Sequence, residues 1–178
     1  MTQQDRDEQV AAAVHEPIEA RVARDGATWT LVMRRHFRHR PALLWRMLTE
    51  PELLVRWSPI VPDRALTTPG PATSRENHED DPVDTEVLAV EAPRELVHRW
   101  GADVMRWTIT PAPDGAVLEL RQQLGDRASA AALAAGWQVC LGRLATEDGS
   151  DRERATGRRA MAYGWQELHD RYRTELSE

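Results

Sequence analysis

Residues 126–145 read DRASAAALAAGWQVCLGRLA, and this stretch decides the fold. Leu133, Trp137, Cys140, Leu141 and Leu144 follow the i, i+4, i+7, i+8, i+11 spacing of one helical face, and Asp126 stands where an N-cap is expected. The spacing predicts one long helix that buries a single bulky stripe. Ala128, Ala130, Ala131, Ala132, Ala134 and Ala135 favour helix but supply little volume, and Gly136 costs about 1 kcal/mol relative to alanine in a helix interior. Two readings of Gly136 stay open: it lets a strand approach closely, or the helix lines a pocket. Trp137 and the three leucines each contribute about 1.5–3 kcal/mol by burial, which makes Trp137 the most damaging truncation expected on this helix.

The stripe needs a surface to lie against, and the chain before it supplies strands. Residues 83–92, 95–101, 103–110 and 116–124 alternate as four successive strands, with turns at Pro93-Arg94, Gly101-Ala102 and Pro113-Asp114-Gly115. Alternation puts Leu96, His98 and Trp100 on one face, as it does Met105, Trp107 and Ile109, and Leu118, Leu120 and Gln122. Arg99, Arg106, Glu119 and Arg121 point the other way, where arginine and glutamate can pair across strands. Upstream, Ile18, Ala20 and Val22 and then Trp29, Leu31 and Met33 alternate about Asp25-Gly26, which reads as a hairpin. Two short helices follow from Pro41, joined at residues 49–51, with Leu43, Leu44, Met47, Leu48, Leu53, Leu54 and Trp57 as their apolar positions. Residues 58–82 are rich in proline, glycine and charge, so strands there are expected to be short or irregular.

The fold class is therefore α+β: a curved antiparallel sheet wrapped around a long C-terminal helix, with two short helices after the first strands. Residues 1–16 read as a flexible N-terminal segment ended by Pro17, and residues 17–145 as the main domain. Residues 146–157 read as a charged linker. Over residues 158–178 an amphipathic helix is expected to dock on the same domain through Met161, Trp165, Leu168, Tyr172 and Leu176.

Composition excludes several functions. All 23 basic residues are arginine, so there is no lysine for a Schiff base or a P-loop. A net charge of -6 disfavours nucleic acid and anionic membrane as partners. No run approaches the roughly 20 apolar residues that span a bilayer, and the N-terminus lacks a signal-peptide core, so a cytoplasmic location is expected. The single Cys140 can form no internal disulfide. No cofactor or metal site is expected. Glu76–Asp81, ENHEDD, lacks the turn glycine and spacing of a calcium loop, and His36 and His39 have no acidic residue or cysteine close by in sequence.

The stretches PALLWRMLTEPELLVRWSPIVPD, EVLAVEAPRELVHRWG, DVMRWTITPAPDGAVLEL and AAGWQVCLGRLA closely resemble bacterial SRPBCC-superfamily proteins of the activator-of-Hsp90-ATPase-homologue group, and WQELHDRYRTEL resembles that group's closing helix. The resemblance covers about residues 17–176. It implies the helix-grip fold of START-like and Bet v 1-like proteins, which share a cavity between sheet and last helix but no catalytic residues. It also implies two alternatives to ligand binding. One is an interaction module acting on a chaperone, against which stands that no stretch corresponds to the activator's chaperone-contacting domain. The other is a cyclase-like or hydrolase-like enzyme.

Alternation and helical phase place Trp57, Leu96, His98, Trp100, Met105, Trp107, Leu118, Leu120, Trp137, Cys140 and Leu141 around such a cavity. The lining suits a small hydrophobic or aromatic molecule, with the indoles as stacking surface and His98 as an orienting handle. The competing reading is that the same residues pack on each other as core. An empty cavity of about 300 Å³ would cost on the order of 7 kcal/mol, so a real one must be wet, occupied or small. His98 and Cys140 could meet as base and nucleophile, but no third, orienting group is identifiable. A monomer and a homodimer fit equally well.

Overall fold

The computed structural model describes residues 2–148 and 163–177. Helix α1 (Gln3–Val14) precedes the hairpin β1 (Glu19–Asp25) and β2 (Thr28–Phe37), which is followed by α2 (Pro41–Thr49) and α3 (Pro51–Leu54). Strands β3 (Val61–Pro62), β4 (Thr73–Arg75), β5 (Val83–Asp84), β6 (Val87–Glu91), β7 (Glu95–Trp100), β8 (Asp103–Ala112) and β9 (Gly115–Leu124) come next. A 3-10 turn (Arg127–Ser129) then leads into α4 (Ala130–Ala145), and α5 (Trp165–Glu175) is the last described helix.

Pairing of β2 with β9 joins the hairpin to the meander, giving a six-stranded antiparallel sheet in the order β1-β2-β9-β8-β7-β6. Gly115 fixes one end of that seam. Its φ is +152° and a Cβ there would lie 1.9 Å from the Phe37 carbonyl oxygen, so only glycine lets the two strands close. The strand expected over residues 83–92 is broken at Thr85 and Glu86. The buried Thr85 turns aside to donate its N–H to Ala72 O at 2.9 Å and its hydroxyl to Ser74 at 2.7 Å. This links β5 to β4 in a small sheet β3-β4-β5, while Arg99 and Gly101 still donate to Glu86 and Asp84. The hairpin turn is Gly26-Ala27, one residue later than the sequence suggests, because Asp25 still pairs with Thr28.

Helix α4 carries more than one buried stripe. Trp137, Leu141 and Leu144 are buried, as expected, but so are Ala131, Ala135, Gln138, Val139 and Gly142. The reason is that α1 and α5 both pack on α4. A Cβ at Gly142 would lie 2.6 Å from Val14 Cα, so α1 meets α4 almost backbone to backbone. Gly136 faces Trp165 of α5, whose Nε1 would be 3.9 Å from an added Cβ, and so serves neither a strand nor a pocket. Asp126 caps the 3-10 turn by accepting from Ala128 N at 2.9 Å.

The flexible segment expected over residues 1–16 is instead the helix α1. Thr2 and Asp5 close a capping box at its start, and Val10, Ala13 and Val14 are buried. Its far end is held by Gln138 and Arg35, which donate to Val14 O at 2.7 Å and Ala13 O at 2.8 Å. Tyr172 and Arg171 of α5 donate to the same Gln138 side chain at 2.5 and 2.9 Å. One amide thus staples three helices, a role that its polarity in an apolar run gives no hint of. Residues 149–157 of the expected linker, and Met161, lie outside the described residues.

Candidate functional site

Antiparallel register lines up the inward side chains of the sheet. Leu96 pairs with Trp107 and Trp107 with Leu120; His98 pairs with Met105 and Met105 with Gln122; Trp100 pairs with Asp103 and Ile109 with Leu118. Onto this face come Trp57, from the turn after α3, and Trp137, from α4. Trp57 meets Trp107 edge-to-face at 6.0 Å, Trp107 meets Trp137 at 5.3 Å, and Trp137 meets Trp100 at 5.5 Å.

Three of these indoles have their N–H groups satisfied. Trp57 donates to Met47 O at 3.0 Å, Trp107 to His98 Nε2 at 3.0 Å, and Trp137 to Gln122 Oε1 at 2.8 Å. Gln122 passes the chain on, donating to Asp103 Oδ2 at 2.7 Å. Trp100 differs: it is half-buried, and its N–H makes no hydrogen bond among the described residues. The row of indoles therefore runs from the fully buried Trp57 to the half-buried Trp100.

His98 is fixed in one neutral tautomer. Its Nδ1 donates to Arg99 O at 2.8 Å while Nε2 accepts from Trp107, and burial pushes its pKa down to about 4. With both nitrogens engaged it has none to offer Cys140, and the base–nucleophile pair is not formed. Cys140 is half-buried at the margin of the core.

Ten of the eleven residues expected at the site belong to one core cluster or pack against it, and the buried His98 accepts a hydrogen bond from one of them, Trp107. Trp57, Leu96, His98, Met105, Trp107, Leu118, Leu120, Trp137 and Leu141 are buried, and Trp100 and Cys140 are half-buried. The direct contacts among them run Trp57–Trp107–Trp137–Trp100, with His98 bonded to Trp107. Asp103 is not among the expected residues, and Gln122 is expected on this face without a role. Asp103 has the parity of Met105 and Trp107, so alternation alone could have put it on the inner face.

Outside this layer, Glu76, Asn77 and His78 of the acidic run stand on the wall of an open cleft of about 460 Å³, over Val55, Val61 and Pro62. On the outer face of the sheet, Arg106 pairs with Glu95 and Arg121 with Glu119, each at 2.8 Å, and Arg99 with Glu86 at 3.3 Å. That face is a charge-balanced, solvated surface. Among the described residues no helix is long and apolar enough to cross a membrane.

A curved antiparallel sheet closed over a long helix, with two short helices after its first hairpin, defines the helix-grip class of SRPBCC proteins. Within it, residues 38–149 match the family model described as activator of Hsp90 ATPase homolog 1-like protein, and the chain belongs to that family. Among solved structures it is similar to CalU16 from Micromonospora echinospora, at 17% identity and a TM-score of 0.71, covering 92% of this chain and 100% of that one. It is also similar to MLL2253 from Mesorhizobium loti, at 27% identity and a TM-score of 0.58, over 65% and 93% of the two chains. The AHSA1 protein from Silicibacter pomeroyi is 25% identical with a TM-score of 0.55, over 65% and 94%. No curated protein matches the sequence.

Proposed function

We propose that this protein binds a small aromatic molecule between the sheet and α4, admitted past Trp100. The observation that carries the reading is the state of Trp100: a half-buried indole with an unbonded N–H at the end of a row of edge-to-face indoles. An aromatic guest can push the half-buried Trp100 outward and lie between it and Trp137 while Trp137 keeps its bond to Gln122, so entry strands no buried polar group. Packing of the indoles on each other also answers the cost of an empty site. A void of about 300 Å³ would cost on the order of 7 kcal/mol, and a cluster that closes on itself avoids it.

Native mass spectrometry of freshly purified protein, set against its denatured mass, tests for a retained guest. Titration with prodan, a neutral naphthalene dye, tests the site directly. A saturable blue shift of prodan emission that weakens in Trp137→Phe is expected. No extra mass together with no saturable shift would sink the reading.

A further inference from the structure

At the Trp100 end of the indole row stands a carboxylate, Asp103, that has no cationic side-chain partner among the described residues. We propose that the bound molecule is a cationic aromatic amine, its ring against Trp100 and Trp137 and its ammonium on the Asp103 carboxylate; this rests on the ligand-binding reading above. Asp103 is the first residue of β8 and pairs with Trp100, the last of β7, across the Gly101-Ala102 turn. Its side chain has the same parity as Met105 and Trp107 and lies on the inner face, where Oδ2 accepts the Gln122 amide at 2.7 Å.

Glutamates on β6, β7 and β9 have arginine partners, Glu91 with Arg94, Glu95 with Arg106 and Glu119 with Arg121, and so has Glu86 just before β6, with Arg99. Among the described residues Asp103 has none. In a chain with 23 arginines, an inward carboxylate that pairs with none of the described ones suits a cationic group held beside the indole row. Trp100 and Trp137 meet there at 60° with centroids 5.5 Å apart. A carboxylate beside an aromatic surface favours a cation over a neutral ring of the same shape and repels an anion. The Trp137–Gln122–Asp103 relay holds the carboxylate in place, and the net charge of -6 draws cations towards the molecule.

Three naphthalene probes of matched shape test this by calorimetry on the full chain: 2-naphthylmethylamine, 2-naphthylmethanol and 2-naphthoate. The amine is expected to bind at least ten-fold more tightly than the alcohol, and the carboxylate more weakly than either. Asp103→Asn keeps an acceptor oxygen for Gln122, so the fold is retained. It should bring the amine down to about the alcohol's affinity while changing the alcohol's far less. Equal binding of amine and alcohol, or an amine preference that survives in Asp103→Asn, overturns the cationic assignment while leaving the ligand site standing. If none of the three binds at millimolar concentration, the site reading falls as well.

Discussion

The Trp137 indole N–H donates to the Gln122 amide oxygen at 2.8 Å, tying the middle of α4 to strand β9 through a bond with no access to solvent. Both residues are buried, so each is the other's obligatory partner. Trp137→Phe leaves the Gln122 oxygen without a donor, and Gln122→Leu strands both the indole N–H and one Asp103 contact. Each should destabilise the fold by about 1–3 kcal/mol, and Trp137→Ala by about 3–5 kcal/mol. In a double-mutant cycle by urea denaturation, Trp137→Phe with Gln122→Leu should cost clearly less than the sum of the singles. Additive costs would show that the bond contributes nothing to stability.

The two interior glycines of α4 should respond to alanine with opposite signs. At Gly136 a Cβ meets nothing closer than Trp165 Nε1 at 3.9 Å, so the gain in helix propensity survives and Gly136→Ala should stabilise by up to about 1 kcal/mol. At Gly142 it would sit 2.6 Å from Val14 Cα, backbone that cannot yield without moving α1. Gly142→Ala should destabilise by roughly 1–3 kcal/mol, as overpacking does. Thermal unfolding of the two variants distinguishes them, and two shifts of the same sign would contradict this account of how α1 and α5 pack.

These glycines also mark where the sequence is legible. Alternation through β7, β8 and β9 put Leu96, His98, Trp107 and Gln122 on the correct face, because a period of two survives any way the strands pair. Helical phase likewise set Trp137 and Leu141 against the sheet. Residues facing α1 and α5 were illegible, since Gly142, Gln138 and the alanines do not stand out as apolar anchors. Their burial depends on helices distant in sequence. The break at Thr85 was hidden for a related reason: Val83–Glu91 alternates well enough for one strand, and only the partner hydroxyl of Ser74 turns the chain. The candidate residues are legible as a buried set; that their indoles meet in a row ending at the half-buried Trp100 is not, because it depends on how β7, β8 and α4 come together.

His98 gives stability a specific pH dependence. Its pKa falls from 6.5 to about 4 on folding, so between these values the unfolded chain binds a proton that the folded one excludes. The neutral ring's contribution is complete above pH 6.5, declines as the pH falls, and is lost by about pH 4. At roughly 1.4 kcal/mol per pKa unit it is on the order of 3 kcal/mol. Protonation would also deprive Trp107 of its acceptor. In His98→Gln the amide oxygen can still accept from Trp107, and the unfolding free energy should lose this slope between pH 6.5 and 4. A slope as steep as in the parent would assign the effect to another group.

Arg35 should control whether α1 stays docked. Its guanidinium is buried on the inner face of β2 and donates to Ala13 O at 2.8 Å and Glu16 at 2.9 Å, placing a cation at the C-terminal end of α1. Only Val10, Ala13 and Val14 of α1 are buried against α4, and among the described residues the other polar ties to the helix are the Gln138 bond and the Tyr163 hydroxyl, which donates to Asp7 at 2.9 Å. Arg35→Met removes both polar contacts while filling much of the same volume. Amide hydrogen exchange over residues 6–15 should accelerate by ten-fold or more, while the amides of β8 and β9 keep their protection. If α1 protection is unchanged, the close approach of Val14 to Gly142 is sufficient to dock the helix and Arg35 is dispensable for it. If β8 and β9 lose protection in step with α1, the helix is not a separate unit but part of the cooperative core.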